Sequence, residues 1–183
     1  GPNGEVRKIK GHNMLYVVIG TFILFFGWFG FNAGSTVNGN DLRIAVIITN
    51  TFLAGAAGAV TVAYVRLLQT GRISAADTCN GVLAGLVAVT APCAFIAPWA
   101  AVVVGAIGAL VMLLGVSFIE TKLKIDDPVG ASSVHGVAGV WGLLAVGIFA
   151  DGTYGVSGLI AGNASQLLAQ VIAAAVAVAW GLG

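Results

Sequence analysis

Residues 126–142, DDPVGASSVHGVAGVWG, decide how the rest of the chain is read. The stretch opens as a helix would: two acids, a proline, then an uncharged run that stays apolar and small-sided as far as Ala150. Asp127 is placed to accept backbone N–H groups at a helix start, and Pro128 suits the first helical position, where no amide proton is needed. The run that follows has about the 20 residues that a bilayer's hydrocarbon core requires. One residue breaks the pattern. His135 falls about two turns inside this apolar helix, where an ionisable side chain needs a partner or a solvated path to offset its burial. Such a residue points to a functional site. The plainer alternative is a neutral histidine hydrogen-bonded inside a helix bundle. Gly136, Gly139 and Gly142 leave room for another backbone beside it.

Composition extends this reading to the whole chain. Of 183 residues, 58% are hydrophobic and only 8% charged, with a mean hydropathy of +1.01. A soluble domain carries about 25% charged residues, so the fold class is an all-α integral membrane protein whose surroundings are lipid bilayer. The net charge of +1 and the lack of any basic run give no footing for nucleic acid. The 27 glycines follow no collagen-like period and fit close helix packing. Without an initiator Met or a signal peptide, and ending on VAVAWGLG inside an apolar run, the chain reads as a fragment of a longer protein.

Outward from the central stretch, the apolar segments fall into order. A polar lead-in, residues 1–13, precedes a first span at Met14–Gly34, closed by Asn38-Gly39-Asn40-Asp41. A second is expected from Ile44 to Val65, with Arg66 to Arg72 as loop. A short third runs from Ala76 to Cys93, a fourth from Trp99 to Ile119, the fifth carries His135, and a sixth begins at Ala164. Counting loops alternately, Arg7, Lys8, Lys10, Arg66, Arg72, Lys122 and Lys124 share one side and Arg43 alone takes the other. That asymmetry places the residue-1 side in the cytoplasm.

Few residues in this apolar background could carry chemistry. The first span ends in GWFGFNAGST, with Trp28, Phe29, Phe31 and Ser35 near its outer end. Aromatics at that level form an interfacial belt in many membrane proteins. The other reading is a site: Phe31 and Ser35 are four apart on one helix face, and an aromatic face beside a hydroxyl receives a cation. His12 lies in the cytoplasmic lead-in, far from His135, which leaves too few ligands for a zinc site. No nucleophile–base set or paired carboxylates occupy the spans, so neither an enzyme nor a cofactor is expected. Cys79 and Cys93 read as packing residues at the two ends of the third span.

Three segments together resemble a known family. GHNMLYVVIGTFILFFGWFGFNAGST, NGVLAGLVAVTAPCAFIAPWAA and DDPVGASSVHGVAGVWGLLAVGIFADG, in this order, are similar to ammonium transporters of the Amt/Mep/Rh family, more to the bacterial Amt branch than to the Rhesus proteins. The resemblance covers essentially the whole chain as one partial transporter domain. It implies an eleven-helix protomer built from two inverted repeats, of which this chain is the second repeat plus the start of the last helix, assembled as a homotrimer in the inner (plasma) membrane. It also implies site roles. His135 matches one of two pore histidines that hydrogen-bond to each other. Phe31 matches a gate phenylalanine, Ser35 a hydroxyl at the outer ammonium site beside Trp28, and the spacing of Asp127 from His135 follows the family. Between those two, Pro-Val-Gly-Ala-Ser-Ser-Val lacks the additional acid and the phenylalanine that some members carry.

The implied function is passage of ammonium/ammonia through a hydrophobic pore, with ammonium deprotonated at an outer gate. A PII-type regulator is the implied partner of the full-length protein. The alternative from another class is the ammonium sensor domain of a membrane signalling protein.

Overall fold

The computed structural model describes residues 11–182. Arg7, Lys8 and Lys10, on which the expected orientation partly rests, lie outside the described residues. The architecture is all-α: α1 (Met14–Gly34), α2 (Arg43–Thr70), α3 (Ala75–Thr90), α4 (Pro98–Phe118), α5 (Ala138–Phe149, entered through a π-helical turn at Ser132–Val137) and α6 (Ala164–Leu182). Among the described residues, five segments are long and apolar enough to cross a membrane: α1, α2, Pro98–Leu123, Ser132–Phe149 and Ala164–Gly181. At 16 residues α3 is shorter, about 24 Å at 1.5 Å per residue, and residues 91–96 continue from it as turns.

Glycine sets how closely these helices approach. α3 is the central one and packs on α1, α2, α4 and α5. A Cβ on Gly58 of α2 would overlap the Gly81 carbonyl oxygen of α3, and one on Gly85 or Gly105 would overlap that of Ala54. Backbone therefore lies against backbone at the α2–α3–α4 contact, which is how helices associate where lipid tails remove the hydrophobic drive. Ile47, Ala54, Ala88, Val89, Ala101, Val104 and Ala145 fill one part of the core, and Val62, Ala84, Ala109, Met112, Val134 and Ala138 the other.

Besides α4, which continues past the expected Ile119 as a π-helical turn to Leu123, three boundaries differ from the sequence expectation by more than a residue. α2 runs through Arg66–Thr70, expected as loop, because Arg66 reaches Asp77 of α3 at 2.9 Å and the helix stops only at Gly71, whose φ of +72° suits glycine. α3 ends at Thr90 rather than Cys93, since Pro92 supplies no amide proton to the ladder. The turns that follow are tied down from α2: Asn50 is fully buried, and its Nδ2 donates to the carbonyls of Cys93 (2.9 Å) and Ile96 (2.8 Å). The third difference lies at the central stretch. Pro128 is not the first helical residue; it sits in a turn with Val129, Gly130 takes a φ of +72°, and helical structure begins at Ser132. Asp127 is buried and its carboxylate accepts from the Ser132 amide at 3.1 and 3.3 Å, while its carbonyl accepts from Gly130 N at 2.9 Å.

The loops at the opposite end are closed by short polar contacts. Asp41 pairs with Arg43 at 2.6 Å, and the Arg43 side chain and amide together hold that carboxyl below its usual range. After α5, Asp151 and Ser157 form a single antiparallel bridge, and Asp151 N donates to Phe95 O at 3.1 Å, joining this loop to the α3–α4 turns.

Candidate functional site

The residues singled out in the sequence fall on one open side of the bundle, built by α1, the end of α3 and the start of α5. On α1, Trp28, Phe31 and Ser35 follow at intervals of three and four, so they share a face. Ser35 ends the helix. Its hydroxyl donates to the Phe31 carbonyl at 2.7 Å, which uses its proton and leaves its lone pairs free to accept. The Phe31 ring is 64% exposed although it is apolar and lies between a hydroxyl and an indole. Phe29, by contrast, turns away and stacks on Phe25 at 5.4 Å.

Seven residues below Ser35, about 10.5 Å along the helix, Trp28 meets His135. The two rings lie nearly parallel, 14° apart, with centroids separated by 6.5 Å. Trp28 thus spans the interval between the outer end of α1 and the histidine. Its Nε1 donates to Thr90 Oγ1 at 2.8 Å, and Thr90 in turn donates to Leu86 O at 2.7 Å. His135 itself is exposed, in the middle of the π-helical turn Ser132–Val137. Turns of this kind insert an extra residue into a helix and concentrate at functional sites. Asp127 lies outside this cluster, holding the start of the turn.

Two side chains here were not singled out in the sequence. Thr90 looked like one more small residue in an apolar run; a polar residue at the end of a span, level with an indole, is the only signal it gives. Asn32 is buried one position after Phe31. Its Nδ2 donates to Thr51 Oγ1 at 3.0 Å, while its Oδ1 has no partner among the described residues. Asn32, Ser35, Thr36, Arg43, Thr90 and Cys93 border a cavity of about 220 Å³ at this end. Cys79 and Cys93 are buried and unpaired. Among the described residues no group of three His, Cys, Asp or Glu could hold a metal ion.

The chain as a whole is similar to known proteins. The chain matches the family described as "Ammonium Transporter Family" over residues 1–183. It is 50% identical to ammonium transporter Amt2 of Archaeoglobus fulgidus, covering 99% of this chain and 40% of that protein. Ammonium transporter 1 member 1 of Oryza sativa is 38% identical over 91% of this chain and 37% of its own length. Among solved structures, a "Sensor Amt Protein" superposes with a TM-score of 0.89 at 39% identity, covering 98% of this chain and 44% of that one. Mep2 of Candida albicans gives a TM-score of 0.89 at 32% identity, with 96% and 40% covered. The chain thus spans about 40% of the length of these relatives. A match over its full length, with the same helical arrangement in Amt and Mep structures, leaves one assignment: this multi-pass membrane chain belongs to the ammonium transporter family.

Proposed function

We propose that the protein containing this chain conducts ammonium/ammonia across a membrane, and that the line Ser35–Phe31–Trp28–His135 is one wall of its path. What supports this reading is the order of side chains along that line. A hydroxyl with free lone pairs, an exposed phenyl ring, an indole and an imidazole follow one another along an otherwise apolar bundle.

The order of these groups suits a particular sequence of events. Ammonium offers four N–H donors and a positive charge; Ser35 accepts one and the Phe31 π-face attracts the other. Carrying the bare cation into a low-dielectric lumen would cost up to ~20 kcal/mol by a Born estimate. Removing a proton at pH 7 from an ammonium-type group of reference pKa about 10.4 costs only about 4.6 kcal/mol, at 1.36 per unit. Ammonium is more acidic than that reference, so its own cost is smaller. Release of the proton at the outer gate is the cheaper route, and neutral ammonia then passes along the apolar wall to His135. A neutral imidazole there hydrogen-bonds ammonia; a fixed imidazolium would repel the incoming cation.

The remaining features belong to the same proposal. The chain supplies the second of two inverted repeats, with a partner histidine and second gate ring coming from the first. The assembly is a homotrimer in the inner (plasma) membrane with the residue-1 side cytoplasmic, and a PII-type regulator acts on the full-length protein. The sensor reading is the alternative supported by a specific likeness, the 39% identity to the "Sensor Amt Protein"; the 50% identity to Amt2 weighs toward transport.

The experiment is ammonium and potassium flux into liposomes holding the intact protein, beside the His135→Ala variant checked for assembly by size exclusion. Transport requires ammonium-dependent flux in the wild type and altered flux or selectivity in the assembled variant. A well-assembled wild type with ammonium binding but no flux would replace this reading with the sensor.

A further inference from the structure

The hydrogen bond between Trp28 and Thr90 has no place in the steps above, yet it ties the last residue of α3 to the ring facing His135. We propose that Thr90 is a positioning residue: its hydroxyl holds the Trp28 indole parallel to the His135 imidazole and thereby fixes the plane in which that imidazole meets the permeating species. The inference rests on the transport reading.

The direction of each bond is forced. An indole N–H only donates, whereas a threonine hydroxyl has one proton and two acceptor sites. Thr90 spends its proton on the Leu86 carbonyl at 2.7 Å, inside its own helix, and so faces Trp28 as an acceptor at 2.8 Å. In an apolar bundle the Trp28 N–H without that acceptor would be left unpaired, at the full cost of its desolvation. One bond therefore fixes both side-chain torsions of the indole.

His135 needs this external wall because its own helix gives it little. The next residue is Gly136, and the residue one turn on is Gly139. A Cβ at Gly136 would meet nothing within 4 Å, and one at Gly139 would meet only Val87, at 3.7 Å. Beside the partner histidine proposed for the first repeat, the wall this chain itself supplies is Trp28. The nearly parallel indole, 14° off and 6.5 Å away between centroids, is the flat surface that limits its rotation.

The test uses the intact protein in liposomes and four variants: Thr90→Val, which keeps the shape and removes the acceptor; Thr90→Ser, which restores it; Trp28→Phe, which keeps a ring and removes the N–H; and Thr90→Val with Trp28→Phe. Thr90→Val and Trp28→Phe should each lower the ammonium-over-potassium flux ratio about three- to tenfold, the size of one lost hydrogen bond. Thr90→Ser should stay near wild type. The double variant should be no worse than the poorer single one, because both remove the same bond. A second readout is independent of transport. The His135 ring resonance, identified by its loss in His135→Ala, carries a ring-current shift from Trp28. That shift should move in Thr90→Val toward its value in Trp28→Leu, and stay put in Thr90→Ser. Losses that multiply in the double variant, or a His135 resonance indifferent to Thr90→Val, would overturn the proposal. Wild-type liposomes without ammonium flux would sink the transport reading alone, and the resonance would still decide the positioning.

Discussion

Replacing Asn50 with leucine should destabilise the protein by an amount set by two carbonyl groups. Asn50 lies wholly inside the bundle, and its Nδ2 is shared between Cys93 O at 2.9 Å and Ile96 O at 2.8 Å. Those carbonyls lie in the turns after α3, where the backbone has left the helical ladder. In a bilayer they have no water to turn to. Side-chain hydrogen bonds between membrane helices average about 0.6 kcal/mol by double-mutant cycles, so two of them set a floor near ~1.2 kcal/mol. Each buried carbonyl left unpaired costs about 1–3 kcal/mol, which raises the expectation to ~2–6 kcal/mol. Leucine recovers part of this by burying an apolar group of similar size, and ~2 kcal/mol is the expected net loss. Asn50→Asp keeps the shape but sets a carboxylate against the two carbonyl oxygens, so it should be worse than leucine at neutral pH. The assay is SDS titration of the intact protein in mixed micelles, followed by loss of helical ellipticity. Because the same turns carry Cys93 and Ala94 beside the outer cavity, a destabilised Asn50→Leu should also conduct less. If Asn50→Leu unfolds at the wild-type SDS fraction, the two bonds carry no stability and this account of the turn is wrong.

Three further outcomes are expected. Phe31→Ala should change ammonium flux or selectivity several-fold more than Phe29→Ala, since the Phe31 ring is exposed on the open face and Phe29 is stacked on Phe25; equal, negligible effects in flux assays would return Phe31 to a packing role. Gly58→Leu should abolish assembly on size exclusion, because even a Cβ there overlaps the Gly81 carbonyl oxygen across the α2–α3 contact, and overpacking of this kind costs well over ~3 kcal/mol. Single cysteines at Gly71 and Asn163, in an otherwise cysteine-free protein, should label from opposite sides of the membrane, the first from the cytoplasm; labelling of both from one side would refute the span assignment, and labelling of Gly71 from outside would reverse the orientation argued from the cations.

The first span, Met14–Gly34, was legible in the sequence because a polar lead-in and the Asn38–Asp41 turn bracket an unbroken apolar run; its cap, Asn13, which accepts from the Leu15 amide, came from the structure. Elsewhere the limits blurred wherever a contact from another helix decided the outcome. Arg66 looks like the start of a loop, yet it pairs with Asp77 of α3 and the helix runs four residues further, to the left-handed Gly71. Asp127 and Pro128 make a good helix start on local chemistry. Gly130, two residues on, adopts the left-handed region and defers the helix to Ser132. The site was legible one residue at a time, as an ionisable group at depth and as an aromatic–hydroxyl face. That Trp28 joins the two could not be read locally, since its partners stand 62 and 107 positions away along the chain. Periodicity reports which residues share a helix face; it carries no information on which faces meet.

The hydrogen-bond directions on the open face make a further point about selectivity. Ser35 gives its proton to the Phe31 carbonyl, Thr90 gives its proton to the Leu86 carbonyl, and Trp28 gives its own to Thr90. Each of these donors is spent inside the protein, so what the hydroxyls at the outer end of this wall have left to offer is lone pairs. Asn32, which also borders this cavity, gives one Nδ2 proton to Thr51 and keeps its buried Oδ1 unpartnered among the described residues. Under the transport proposal, ammonium would take these lone pairs as directed N–H bonds, while potassium could also coordinate them as bare oxygens, so the acceptors alone do not separate the two cations. The discrimination we propose comes from the apolar lumen beyond them, where ammonium can shed a proton and cross as neutral ammonia and potassium has none to shed.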